Sequence, residues 1–364
     1  MSRRPASAIA ANLLICGLLA LAATLYTLAP DLYYRSVQED EVLEWSTFWA
    51  FVLAALAYGA AARAQRRRSG DLPWFLAGVA LFCAVVAMEE ISWGQRLIGY
   101  RPPSYFLEHN FQQELNLHNI ANNWFRQWAY MGIVVGYGVA LPALWLLAPM
   151  RRLGERIGLV APSPALTPGF AATAIVYVIY PWTHSGEWSE LMLGLAMLFT
   201  AITHLQPQLR ARSIVIACLV TCVLGAATAQ AWFLVAGSRP EQLEGARVEL
   251  RALRNDLAKA RSYKHCGVHK RVYSYLQKYG QQHLFEGEFA ALVNTGLPAE
   301  RARFFLDPWN SPYWFKHVCA EDGSRRAILV YSFGPNRHRD SARWEVIEDD
   351  LASWVSRPSP PEER

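Results

Sequence analysis

The sequence predicts a membrane all-α bundle of about seven transmembrane helices, followed by a small α+β domain in which a long helix packs on an antiparallel sheet. Two observations lead there. Apolar residues make up 53% of the 364-residue chain and Trp alone supplies 14, yet mean hydropathy is only +0.08, so a strongly apolar part must be joined to an ordinary polar one. Apolar runs separated by Arg-rich connections fill the first 236 residues, whereas charge is dense after residue 237. The expected domains are therefore a transmembrane part at 1–236, an outer domain at 237–356, and a disordered tail at 357–364 carrying three prolines.

A span needs about 20 mainly apolar residues. Runs that meet or approach this length fall at 8–29, 46–64, 73–93, 128–149, 168–183, 188–205 and 213–236. The first could pass for a signal peptide, but no small-residue cleavage site precedes Asp31, so it reads as a retained span. The fifth is short, with Pro168 suited to a first helical position, and only Thr183–Glu187 separates it from the sixth. Trp45, Trp74, Trp93, Trp128, Trp182 and Trp188 fall near span ends, where amphipathic rings favour the interface.

Short-loop arginines set the orientation. One side collects Arg3, Arg4, Arg63, Arg66, Arg67, Arg68, Arg151, Arg152, Arg156, Arg210 and Arg212; the other holds Arg35, Arg96, Arg101 and Arg126. The richer side is expected in the cytoplasm, and seven spans then carry the C-terminal domain to the periplasm of a bacterial inner membrane. The +5 formal charge is spread between spans and forms no single basic face, which argues for a lipid bilayer as partner and against nucleic acid.

Apolar residues from Leu243 to Leu276 recur near the helical period, predicting a long polar helix broken near Gly267. Strands are expected at Tyr313–Val318 and Ala327–Phe333, joined by a turn at Glu321–Ser324. Cys16, Cys83, Cys218 and Cys222 lie in spans; Cys266 and Cys319 lie in the outer domain, where an oxidising compartment would permit a disulfide that spacing alone leaves open.

Ionisable groups at membrane depth are costly and default to a functional reading. Glu89 and Glu90 continue an uninterrupted apolar run, and their side chains point about 100° apart on a helix. With His118, His184 and Glu187 on the same predicted membrane face, they form a candidate carboxylate/His site for acid/base chemistry. If 114–118 is helical, Glu114 and His118 share a face. The structural alternative pairs Glu89 and Glu90 with Arg96 or Arg101, locking helices together. Glu89-Glu90-Ile91-Ser92-Trp93-Gly94-Gln95-Arg96 with Asn116-Leu117-His118-Asn119 resembles a group of bacterial multi-pass membrane proteins of unassigned activity, which implies no reaction.

Asp307-Pro308-Trp309-Asn310-Ser311-Pro312-Tyr313, Tyr331-Ser332-Phe333-Gly334 and the acidic Glu348-Asp349-Asp350 resemble, in this order, the ectodomain of major pseudopilins of type II secretion systems. The resemblance covers about a third of the chain and implies an extracytoplasmic domain with envelope or secretion partners. It also implies a Ca²⁺ site at Asp340, Asp349 and Asp350, although Arg337, His338 and Arg339 stand where that family favours small or acidic residues. The stretch Arg210-Ala211-Arg212-Ser213 before the last span lacks the family's processing glycine, so a polymerising subunit is not expected. The functions left open are an envelope or secretion-associated interaction protein, or a membrane-embedded hydrolase or transferase acting on a lipid-linked substrate; a transporter is the weaker third, since the spans show no internal repeat.

Overall fold

The computed structural model describes residues 4–38, 40–110, 113–121, 123–205, 210–235, 240–259, 267–280, 282–319, 326–335 and 351–356. Asp340, Asp349, Asp350, Cys266, the 321–324 turn and the 357–364 tail lie outside them. The chain divides into two compact units. The first comprises residues 1–94 and 116–231; the second comprises 95–115 and 232–364. Chain order alone assigns 95–115 to the membrane part, whereas packing groups it with the second unit.

The first unit contains helices α1 (Arg4–Leu28), α2 (Val42–Ser69), α3 (Trp74–Glu90), α4 (Trp124–Trp145), α5 (Ala148–Arg156), α6 (Thr167–Ile179), α7 (Ser185–Leu205) and α8 (Ala211–Val235). Among the described residues, five helices are long and apolar enough to cross a membrane: α1, α2, α4, α7 and α8. The α3 and α6 helices, at 17 and 13 residues, are shorter. At 1.5 Å per residue they reach about 25 and 20 Å, against a hydrocarbon core of about 30 Å. Left-handed backbone sets both ends. Ser92, Trp93 and Gly94 take φ of 46°, 55° and 75° just past α3, and Tyr180 caps α6 at φ 46°.

The α7 helix is buried on every side from Leu191 to Ala201, as expected of a stretch that is apolar all round. Small residues let its neighbours approach. A Cβ on Gly194 would lie 2.9 Å from Ala50 of α2, and one on Gly225 of α8 would lie 2.1 Å from Ser46 Oγ. Residues Gly132–Ala140 of α4 form a π-helical stretch, in which Gly138 meets the Phe170 ring of α6.

The second unit opens with α9 (Pro240–Lys259). It continues through β1 (Val268–Arg271), α10 (Val272–Lys278), α11 (Ala299–Phe304), β2 (Trp314–Cys319), β3 (Arg326–Ser332) and β4 (Leu351–Ser356). The four strands form an antiparallel meander in chain order. The β2 and β3 strands match the sequence expectation. The predicted helix is present as two pieces, α9 and α10, on either side of Gly267, and 268–271 between them pairs with β2 as an edge strand. Val272, Tyr275 and Leu276, which carried the helical spacing, are buried on α10, while in the strand Val268 and Arg271 are buried and His269 and Lys270 half-buried. Leu250, Leu253 and Leu257 of α9 join Tyr275, Phe304, Phe315 and Val330 in one core, and Leu107 from the 95–115 segment is buried in it at 1% exposure.

The Asp307–Tyr313 tract is a buried polar staple. Asp307 Oδ1 accepts from the Trp309 and Ser311 amides at 3.0 and 2.8 Å, and Oδ2 accepts from Ser332 Oγ at 2.6 Å. Ser332 Oγ in turn accepts from the Gly334 amide at 3.0 Å, so the two tracts that stood out in the sequence meet. Next to it, Glu249 Oε2 accepts from Arg301 at 2.6 Å and from the Tyr313 hydroxyl at 2.9 Å. Burial pushes the Glu249 carboxyl up, against the opposing pull of Arg301 and the Tyr313 hydroxyl. The 95–115 segment adds Arg101–Glu300 and Arg303–Glu108 ion pairs, and a 3.1 Å bond from Asn310 Nδ2 to the Gly99 carbonyl.

Because Leu107 fills the second unit's core, Leu107→Ala is expected to cost about 2–5 kcal/mol there. Hydrogen exchange on the full chain should show protection lost across 299–306 and retained in α7. Equal protection in both proteins would remove Leu107 from that core.

Candidate functional site

The site grows from the end of α3. An apolar helix that closes on two carboxylates must satisfy them, and the left-handed turn after Glu90 brings donors to the first. Trp93 Nε1 donates to Glu89 Oε1 at 2.6 Å. Glu89 Oε2 accepts from the backbone amides of Leu117 and His118 at 2.6 and 3.0 Å, and His118 Nδ1 lies 3.3 Å from it. Asn116 Nδ2 adds a bond to Ser92 Oγ at 3.2 Å. Glu89, 8% exposed, is therefore a latch that fixes the 116–118 backbone onto the end of α3. These contacts also explain why 113–119 forms bends and turns, not a helix on which Glu114 and His118 would share a face: two of its amides point at Glu89.

Glu90 points elsewhere, as the 100° step requires. It lines a cavity of about 250 Å³ together with Glu89, His118, Arg126, Tyr130 and Glu190. The remaining wall is apolar, with Phe51 of α2, Phe82 and Val86 of α3, and Leu193 of α7 among its residues. Tyr130 is positioned by its hydroxyl, which donates to the Ser189 carbonyl at 2.8 Å, and by stacking on Tyr177 at 3.9 Å between centroids. Glu190 reaches the same cavity from α7, beside His118 and Arg126.

Of the five sequence candidates, Glu89, Glu90 and His118 come together on this cavity. His184 and Glu187 do not line it. His184 sits at φ 61° in the α6–α7 connection, its amide bonded to the Tyr180 hydroxyl at 3.1 Å and its ring edge-on to Tyr34. Glu190 and Arg126 were missed as site residues. The signal for Glu190 was present, a carboxylate inside the apolar run of α7. Arg126 was hidden by its place in a loop-side charge count. The structural alternative is corrected in part: Arg101 pairs with Glu300 rather than with Glu89 or Glu90. The Arg96 side chain lies outside the described residues.

Chemically, a carboxylate on Nδ1 holds the imidazole in one orientation and favours the tautomer with its proton there, leaving Nε2 as the basic nitrogen. Glu90 and Glu190 place two carboxylates from different helices on one largely apolar cavity, a setting in which charge on both is costly. Among the described residues, no His, Cys, Asp or Glu grouping is arranged to hold a metal ion. No protein-family model, curated protein or solved structure matches the chain.

The two adjacent glutamates should respond differently. Glu89→Ala leaves the part-buried Leu117 and His118 amides without their acceptor and is expected to lower stability by about 1–3 kcal/mol. Glu90→Gln keeps the side chain's size and removes a carboxylate that shares the cavity with other carboxylates, so it should leave the melting temperature in detergent unchanged or raised. Equal losses in both variants would contradict the division into latch and cavity group.

Proposed function

We propose that the first unit is a membrane-embedded hydrolase or transferase acting on a lipid-linked substrate. The observation that carries this reading is the Glu89-held His118 on the same cavity as Glu90, Glu190 and Arg126, opposite an apolar wall. In this reading the hydrocarbon of the substrate lies along Phe51, Phe82 and Val86, and Arg126 faces its anionic head. His118 Nε2 takes the proton from an attacking water or hydroxyl. As the nucleophile's oxygen bonds the acyl or phosphoryl centre, the bond from that centre to the leaving oxygen breaks and the Glu90/Glu190 pair protonates that oxygen; passage of the proton from His118 back to the pair then restores the starting state.

We further read the chain as a seven-crossing bacterial inner-membrane protein, with α3 and α6 as the two short crossings, the N-terminus cytoplasmic and the second unit periplasmic. The loop-arginine asymmetry supports this orientation. A second reading, an envelope or secretion-associated interaction protein, draws on the second unit. Its helix-then-antiparallel-sheet order, with the Asp307 tract bonded to Ser332, agrees with the pseudopilin-like resemblance. The possible Ca²⁺ site belongs to that reading.

The test is an assay of purified full-length protein with a bacterial total-lipid extract, followed by mass spectrometry of the lipid products. The enzyme reading predicts products that fall by about 100-fold or more in His118→Ala and Glu90→Gln, with both variants folded. No lipid turnover by the wild-type protein, or turnover unchanged in both variants, sinks the enzyme reading and leaves the interaction protein.

A further inference from the structure

At the end of the first unit remote from Glu90, nine-residue α5 has two unlike halves. At 100° per residue, Pro149, Met150, Leu153 and Ile157 (just past the helix) fall on one side, and Arg151, Arg152, Glu155 and Arg156 on the other. The apolar half is not packed against protein: Met150, Leu153 and Ile157 are 40%, 53% and 50% exposed. The arginines are exposed as well.

The helix is nevertheless held firmly. Gly154 is buried where a Cβ would lie 2.2 Å from the Trp145 ring at the end of α4, so the chain turns sharply out of that span and lies against it. Trp74, at the start of α3, donates through Nε1 to the Ile157 carbonyl at 2.7 Å. This bond brings α5 to the bundle end where α2 finishes in the exposed Arg66, Arg67 and Arg68. The exposed Leu146 and Leu147 connect the apolar half of α5 directly to the lipid-facing side of α4.

An apolar half continuous with a spanning helix, under a rim of arginines, has the character of a helix lying in the membrane interface. We infer that α5, with the end of α2, is a docking surface for anionic phospholipid. Met150, Leu153 and Ile157 enter the acyl boundary, and Arg151, Arg152 and Arg156 engage headgroup phosphates. The inference rests on the membrane reading of the first unit and is independent of the proposed reaction.

The experiment uses the full chain in detergent and measures the melting temperature with added phosphatidylglycerol, phosphatidylcholine of the same chains, or inorganic phosphate. Phosphatidylglycerol is expected to raise the melting temperature more than phosphatidylcholine does, and inorganic phosphate to leave it unchanged. Arg151→Gln/Arg152→Gln/Arg156→Gln should lose at least about half of that lipid difference, since each basic group near an anionic surface adds a comparable share. Arg247→Gln/Arg251→Gln in α9 should keep all of it. Should the triple variant fail to fold, the lysine triple, expected to keep the difference, and single Arg152→Gln, expected to lose part of it, are read in the same assay. Equal response to both lipids, an undiminished difference in the glutamine variants, or the same rise from inorganic phosphate would overturn the proposal. A chain recovered without detergent would instead overturn the membrane reading itself.

Discussion

A carboxylate buried at the end of an apolar helix must collect donors or stay neutral, and the first unit is arranged around how Glu89 collects them. The left-handed Ser92–Gly94 turn, the indole of Trp93 and the two amides of Leu117 and His118 all converge on its two oxygens. The turn ends α3 early, which accounts for its 17 residues. The amides fix the returning chain, so the residue after Leu117 presents its imidazole to the cavity. Glu90 is thereby released from structural duty and faces Glu190, His118 and Arg126.

The second unit repeats the same physics away from any cavity described here. Asp307 gathers two amides and a hydroxyl, and Glu249 gathers a guanidinium and a phenol, with both carboxylates buried in the unit's interior. Donors of this kind make buried carboxylates tolerable and fix the loops that supply them. The Asp307–Tyr313 tract is thus explained by what it holds together, the 331–334 segment and the 305–313 turn, without a ligand.

How much of this was legible follows from the range of each interaction. Apolar run length is local, so the long spans and the separate polar domain could be read directly. The β2 and β3 strands were visible as short apolar runs beside turn-forming residues, and β3 is buried on both faces, Ile328 and Val330 in one core and Leu329 and Tyr331 in another. Glu89 and Glu90 stood out because any charge in an apolar run does. What could not be read depends on distant partners. Nothing local marks Leu107 as a core residue of a domain more than a hundred positions away. Nothing local shows that Val268 pairs with His317 rather than extending a helix. His184 and Glu187 were placed in the candidate site from loop position alone, yet a turn of α7 separates Glu187 from Glu190, and of these three only Glu190 lines the cavity.

The account turns on Glu89 holding the Leu117 and His118 amides, because that contact sets the position of His118. Residue-resolved hydrogen exchange of these two amides in the full-length protein, in wild type, Glu89→Ala and Glu90→Gln, tests it directly. The expected result is protection in wild type and in Glu90→Gln, with loss of protection confined to Glu89→Ala. Rapid exchange of both amides in the wild-type protein, or equal protection in Glu89→Ala, would contradict it.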